Sequence, residues 1–185
     1  MKYKVFNSSN EDVKKFVFEW EKTETSGEAV AESVLYKYSS YMERTVICCS
    51  TQSGCPVKCS FCGTGGFFKR NLTADEIVEQ VRTVLEEVGI SEKEALGIKK
   101  FQLMFMSMGE PFLNYDNLEK AIMGLAEIYP TAQLLVSTSA PASIKTRFHD
   151  FIDLSKKYDK IGIQFSVHES TDENRKKLIP TNTSP

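Results

Sequence analysis

Apolar positions along the chain change period several times, and each change marks an element. In LTADEIVEQVRTVLEEVG, residues 72–89, Ile77, Val81, Val84, Leu85 and Val88 recur at steps of three and four. That spacing puts side chains on one stripe of a helix. Thr73 stands at the N-cap position, Glu76 three residues later completes a capping box, and Gly89 closes the run. Upstream, TVICCS is a short continuous apolar run of the buried-strand type. The alternation then repeats: KKFQLMFMSM, QLLVSTSA and IGIQFSVH read as strands, followed by helical patterns in NLEKAIMGLAEIY, ASIKTRFHDFIDLSKKY and TDENRKKL. Four strand–helix units predict an α/β fold with parallel strands, in an open sheet or a barrel. Residues 1–43 are polar and charged, with short β-like runs in FVFEW and ESVLYKY. They read as an N-terminal strand extension to a core spanning residues 44–185.

The informative polar groups all follow strands. A glycine-rich cysteine loop follows the first, Gly109-Glu110 the second, Ser137-Thr138-Ser139 ends the third, and Ser166 and His168 end the fourth. In parallel α/β folds the carboxyl edge of the strands is where sites are built.

Composition narrows the partners. The formal charge of −2 over 185 residues gives no global basic field, so contact with RNA requires a local patch or another domain. The start, MKYKVFNSSNEDVKK, has no apolar signal region, and runs such as LMFM are far too short to span a bilayer. A cytoplasmic protein is expected. All five cysteines fall between Cys48 and Cys62, the reverse of a secreted disulfide scaffold, which spreads its thiols to staple distant segments. A metal or redox site is the expectation instead.

Three of those cysteines form C-x3-C-x2-C in SGCPVKCSFCGTGG: Cys55, Cys59 and Cys62. Structural zinc wants four nitrogen or sulfur ligands, so it would have to recruit Cys48, Cys49, His149 or His168. A 4Fe-4S cluster held by three cysteines leaves one iron open to a substrate or cofactor. The spacing favours the cluster, with zinc and a plain reduced-thiol loop as alternatives.

The motif, with the aromatic Phe61 before its last cysteine, is similar to that of radical S-adenosylmethionine (SAM) enzymes. CSTQSGCPVKCSFCGTGG, KRNLTADEIVEQV, SMGEPFLNYDN, VSTSA and SVHESTDENRKKLIPTN occur in that order. Together they resemble the RlmN/Cfr family of radical SAM RNA methyltransferases, from about Glu32 to the last residue. The resemblance implies a partial, TIM-like (βα) barrel, of which about four βα units are visible. It implies that Cys55, Cys59 and Cys62 ligate a 4Fe-4S cluster whose open iron chelates SAM. Gly109 and Glu110 of the GEP motif would bind the methionine amino group. Ser137, Ser166, Val167 and His168 would contact SAM, and Phe61 would lie beside the adenine. Cys48 matches the family's resolving cysteine, and Glu32 resembles its proton acceptor. Expected partners are an adenosine of large-subunit ribosomal RNA, or of transfer RNA, and an electron donor such as flavodoxin or ferredoxin.

Departures are equally visible. No cysteine follows Cys62, so the family's methyl-carrying cysteine has no counterpart, nor has its late SAM-contacting asparagine. Four units stand where the family builds six strands, and the N-terminal helical domain has no match. The resemblance thus implies about two-thirds of a radical SAM core, incomplete for methyl transfer, and a monomer unless a companion chain completes the fold. Two rival functions stay open: a radical SAM enzyme with another substrate, and a zinc-stabilised binding module without redox chemistry. His149 and Cys49 are expected to be structural. Lys69-Arg70 and Arg175-Lys176-Lys177 are read as solvated surface rather than a phosphate-contacting rim.

Overall fold

The computed structural model describes residues 1–24 and 26–180. Asn182, in the PTN stretch, lies outside them. Three N-terminal strands, β1 (Lys2–Asn7), β2 (Val13–Trp20) and β3 (Ala29–Tyr38), precede the first core strand β4 (Arg44–Cys49). A small pair, β5 (Gln52–Gly54) and β6 (Phe68–Asn71), brackets the cysteine loop. Then come α1 (Ala74–Glu87), the short α2 (Glu92–Ala95), β7 (Lys100–Phe105), α3 (Tyr115–Ile128) and β8 (Gln133–Thr138). The described chain ends with α4 (Ile144–Lys157), β9 (Ile161–Phe165) and α5 (Asp172–Leu178).

Seven strands make one sheet in the order β1-β2-β3-β4-β7-β8-β9. The first four pair antiparallel, and β4, β7, β8 and β9 pair parallel. The α/β class with parallel strands is therefore present, as an open sheet: among the described residues no pairing closes β9 back onto β1. The parallel strands run through their crossover helices, so their carboxyl ends share one edge.

Local sequence explains α1. Thr73 accepts from the Glu76 backbone N–H at 3.2 Å, and the Glu76 carboxylate accepts from the Thr73 N–H at 2.9 Å, so both halves of the capping box form. Its stripe of Ile77, Val81, Val84 and Leu85 joins Leu118, Ile122 and Leu125 of α3 and Phe101, Leu103 and Phe105 of β7 in one core. Side chains alternate across a strand. Leu134 and Val136 of β8 therefore enter that core, while Gln102, Met104 and Leu135 lie half-buried on the opposite face and Gln133 is exposed there. β7 and β8 are thus buried fully on one side only, the side the helices cover, whereas β4 is buried on both, with Val46 and Cys48 as well as Ile47 and Cys49 inside.

The N-terminal strands continue the same sheet and share the same core. Phe16, Phe18 and Trp20 alternate into it beside Ala29, Ala31 and Leu35. Trp20 donates its indole N–H to Glu79 of α1 at 2.9 Å, and Ser33 donates to Gln80 at 2.8 Å. Both polar contacts lie at the boundary with α1, where an unpaired donor would be costly.

Candidate functional site

Gln80 also fixes the end of β4: it accepts from the Ser50 N–H at 2.9 Å and donates to the Ser50 carbonyl at 3.0 Å. The chain then turns through Gly54, with φ +81°, where an added Cβ would stand 2.2 Å from the Phe67 carbonyl oxygen. Only glycine fits there. Cys55 follows, its N–H donating to that same carbonyl at 2.9 Å. Tight turns bind Cys62 N–H to Cys59 O and Gly65 N–H to Cys62 O, each at 3.1 Å. The Ser60 N–H reaches the Leu178 carbonyl of α5 at 2.8 Å, which ties the loop to the far end of the sheet.

The loop after β7 is built against this one. Gly109 has φ +98°, and a Cβ there would meet the Gln52 side chain at 2.6 Å. Gln52 sits so close because its amide oxygen accepts from the Glu110 N–H at 2.8 Å. The Glu110 carboxylate, 4% exposed, accepts from Thr138 Oγ1 at 2.5 Å and Phe112 N at 3.2 Å on one oxygen. Its other oxygen accepts from the backbone N–H and the hydroxyl of Ser139, both at 2.8 Å. A carboxylate offers about four acceptor positions, and here the protein fills them. Glu110 thus binds the end of β7 to the end of β8.

One cleft of about 390 Å³ collects Cys55, Cys59 and Cys62 with Phe61, Gly109, Glu110, Ser137, Ser166 and His168. Ser137 donates to Gln164 of β9 at 2.9 Å, and the Ser166 N–H donates to the Thr138 carbonyl at 2.8 Å. The Phe61 ring lies 4.6 Å from that of His168, tilted by 46°. Val167 falls outside the cleft. Its side chain lines a neighbouring, larger hollow of about 520 Å³ beside α4, which also takes the exposed His149 and holds no cysteine. Val167 follows the end of β9, and His149 is exposed on α4.

All five cysteines are free thiols. Burial raises the pKa of Cys55 to about 11, and burial followed by the neighbouring Cys62 raises that of Cys59. Three soft donors on one loop suit an iron–sulfur cluster or zinc, and binding would displace their protons. Among the described residues no three His, Cys, Asp or Glu side chains are already closed around one metal position.

Cys48 and Glu32 stand apart from the cleft and near each other. Cys48 faces Val34 across the β3–β4 pair, so Glu32, two residues from Val34, shares its side of the sheet. Cys48 is 8% exposed, and burial raises its pKa to about 11. The Glu32 carboxylate pairs with Lys15 of β2 at 2.7 Å. Cys49, one residue on, enters the core.

Two arginines read as solvated surface are not. Arg70 grips Glu76 with both terminal nitrogens at 2.7 Å, and Arg175 is 4% exposed. Lys177 does conform, exposed and paired with Glu173 at 3.0 Å. Gln52 escaped the sequence reading, although TQ lies within the stretches that carried the resemblance; Thr138 and Ser139 were singled out at their strand end, but not as partners of Glu110.

A cysteine loop at the carboxyl edge of parallel strands defines a class. Residues 49–184 match the family model described as the Radical SAM superfamily, and the chain belongs to that superfamily. More finely, it is similar to a probable dual-specificity RNA methyltransferase RlmN of Heliobacterium modesticaldum, 40% identical over 157 residues. That match covers 82% of this chain and 39% of the relative. It is also similar to the dual-specificity RNA methyltransferase RlmN 2 of Myxococcus xanthus, 38% identical over 155 residues, covering 80% of this chain and 39% of that protein. The crystal structure of a radical SAM methyltransferase from Sphaerobacter thermophilus superposes with a TM-score of 0.74 at 31% identity, over 97% of this chain and 49% of that one. The chain therefore spans about two-fifths of the length of these curated relatives. No helix among the described residues is long and apolar enough to cross a membrane.

Proposed function

We propose that this chain carries the cofactor chemistry of a radical SAM RNA methyltransferase acting on adenosine of large-subunit ribosomal RNA. Cys55, Cys59 and Cys62 would hold a 4Fe-4S cluster, leaving one iron for the amino and carboxylate groups of SAM. When bound and reduced, such a cluster supplies the electron that cleaves the sulfonium, so the cofactors carry the hard step. The protein's own work is placement. Gly109 lets the loop after β7 pass tightly against Gln52, and Glu110 holds the ends of β7 and β8 together. Ser137, Ser166 and the backbone near His168 offer polar contacts to SAM, and Phe61 offers a face for the adenine. On the face of the sheet that also carries Ser137, Glu32 would accept the substrate proton and Cys48 would resolve the RNA adduct. An RNA substrate and a flavodoxin- or ferredoxin-like donor complete the partners.

One observation carries this reading: a single cleft gathers three thiols of one loop with polar groups from the ends of three other strands. Radical SAM membership and the names of the relatives support the reaction class. The test is anaerobic reconstitution with iron and sulfide, then metal analysis and paramagnetic resonance of the reduced protein with and without SAM. About four irons per chain and a spectrum altered by SAM are expected. Stoichiometric zinc, or a cluster blind to SAM, would overturn the reading in favour of a metal-stapled binding fold.

A further inference from the structure

Along the seven-residue helix α5 every residue is exposed or half-buried except Arg175. Its guanidinium points into the sheet edge and donates to carbonyl oxygens on two different strand ends. Nη2 reaches Ser139 O at 2.6 Å, after β8, and Ser166 O at 3.3 Å, after β9. Nε reaches Val167 O at 2.9 Å.

The residues immediately after two of those carbonyls are unusual. Ala140 has φ +55° and His168 has φ +61°, both left-handed. Neither is glycine, and a side chain in that region costs free energy unless its surroundings over-determine it. Arg175 supplies such surroundings, because its planar fork takes both turns at once. An ammonium is a point charge on a flexible stem and cannot reproduce a fork fixed in one plane. The far end of α5 is also engaged, through the Leu178 carbonyl and the Ser60 N–H of the cysteine loop. Three segments that line the cleft thus meet at one short helix.

We infer that Arg175 is a positioning residue: it holds the left-handed turns after β8 and β9 that set Ser139, Ser166 and His168 at the mouth of the cleft. This rests on the cleft being the SAM site, so the test has one arm that needs SAM and one that does not.

In the first arm, amide hydrogen exchange is followed on the whole chain without added cofactor, for wild type, Arg175→Lys and Arg175→Ala. Exchange across residues 139–141 and 166–169 is expected to quicken about tenfold in both variants, with α1 and α3 unchanged. Guanidinium ion at concentrations far below denaturing is expected to restore protection in Arg175→Ala. In the second arm, SAM is titrated into the reconstituted proteins while the resonance spectrum is read. Affinity is expected to fall about tenfold at equal iron content. Unchanged exchange at the two turns would overturn the inference. So would acceleration shared equally by α1 and α3, which would make Arg175 a support of the fold at large. A wild-type cluster blind to SAM would defeat the functional reading alone, and the exchange arm would still decide the role of Arg175.

Discussion

Replacing Glu110 with glutamine keeps the shape of a buried side chain and removes its charge. Four donors converge on the carboxylate: Thr138 Oγ1 at 2.5 Å, Phe112 N at 3.2 Å, and the N–H and hydroxyl of Ser139 at 2.8 Å. The best orientation of the amide keeps its oxygen toward Ser139. Those two bonds survive but lose charge assistance, at about 1 kcal/mol each. The amide NH2 then faces Thr138 and Phe112. Thr138 can rotate to accept, but the Phe112 N–H cannot, and an orphaned buried donor costs about 1–3 kcal/mol. At 3.2 Å that bond is the longest of the four, so the lower end applies. The total is about 3 kcal/mol, a large fraction of the 5–15 kcal/mol that holds a typical domain. Urea unfolding followed by circular dichroism measures it. With a slope of about 2 kcal/mol per molar, the midpoint should fall by about 1.5 M at unchanged slope. Glu110→Ala, which removes the acceptor altogether, should lose at least as much. A midpoint shift below about 0.5 M for Glu110→Gln would mean that the four bonds do not bind β7 to β8, and the reasoning would fail.

Two further outcomes follow from the buried titratable groups. Burial alone would raise the Glu76 pKa, but hydrogen bonds from Arg70 and Thr73 outweigh it and hold the carboxyl below its ordinary 4.5. A depressed carboxyl stabilises the fold above its unfolded pKa and loses that contribution as pH falls through the folded value. The stability advantage of wild type over Glu76→Gln, measured by urea titration, should therefore hold near neutrality and shrink as pH drops below 4.5. For Cys48, burial raises the thiol from 9.0 to about 11. Only the thiolate reacts, so iodoacetamide at mildly alkaline pH should modify Cys48 about a hundredfold more slowly than a free thiol. Peptide mass spectrometry reads the rates, and equal rates would refute the burial of Cys48.

What the sequence determined by itself was local. The stripe and capping box of α1 lie within one segment, so spacing alone identified both the helix and its start. The thiol motif was legible for the same reason, because its three cysteines share one loop, and the polar residues that follow the strands reach a common edge by strand polarity alone. Tertiary structure decided what depends on distant partners. Arg175 could not be told from its neighbours Lys176 and Lys177, because the carbonyls that justify burying it belong to residues after two other strands. The filling of the Glu110 carboxylate depends on a strand end 28 and 29 residues away. Glu32 and Cys48 share a face only because β3 pairs antiparallel with β4 in that register, and a shift of one residue would separate them. That β7 and β8 are buried on one side and β4 on both was decided by what packs against each face, which no strand's own pattern contains.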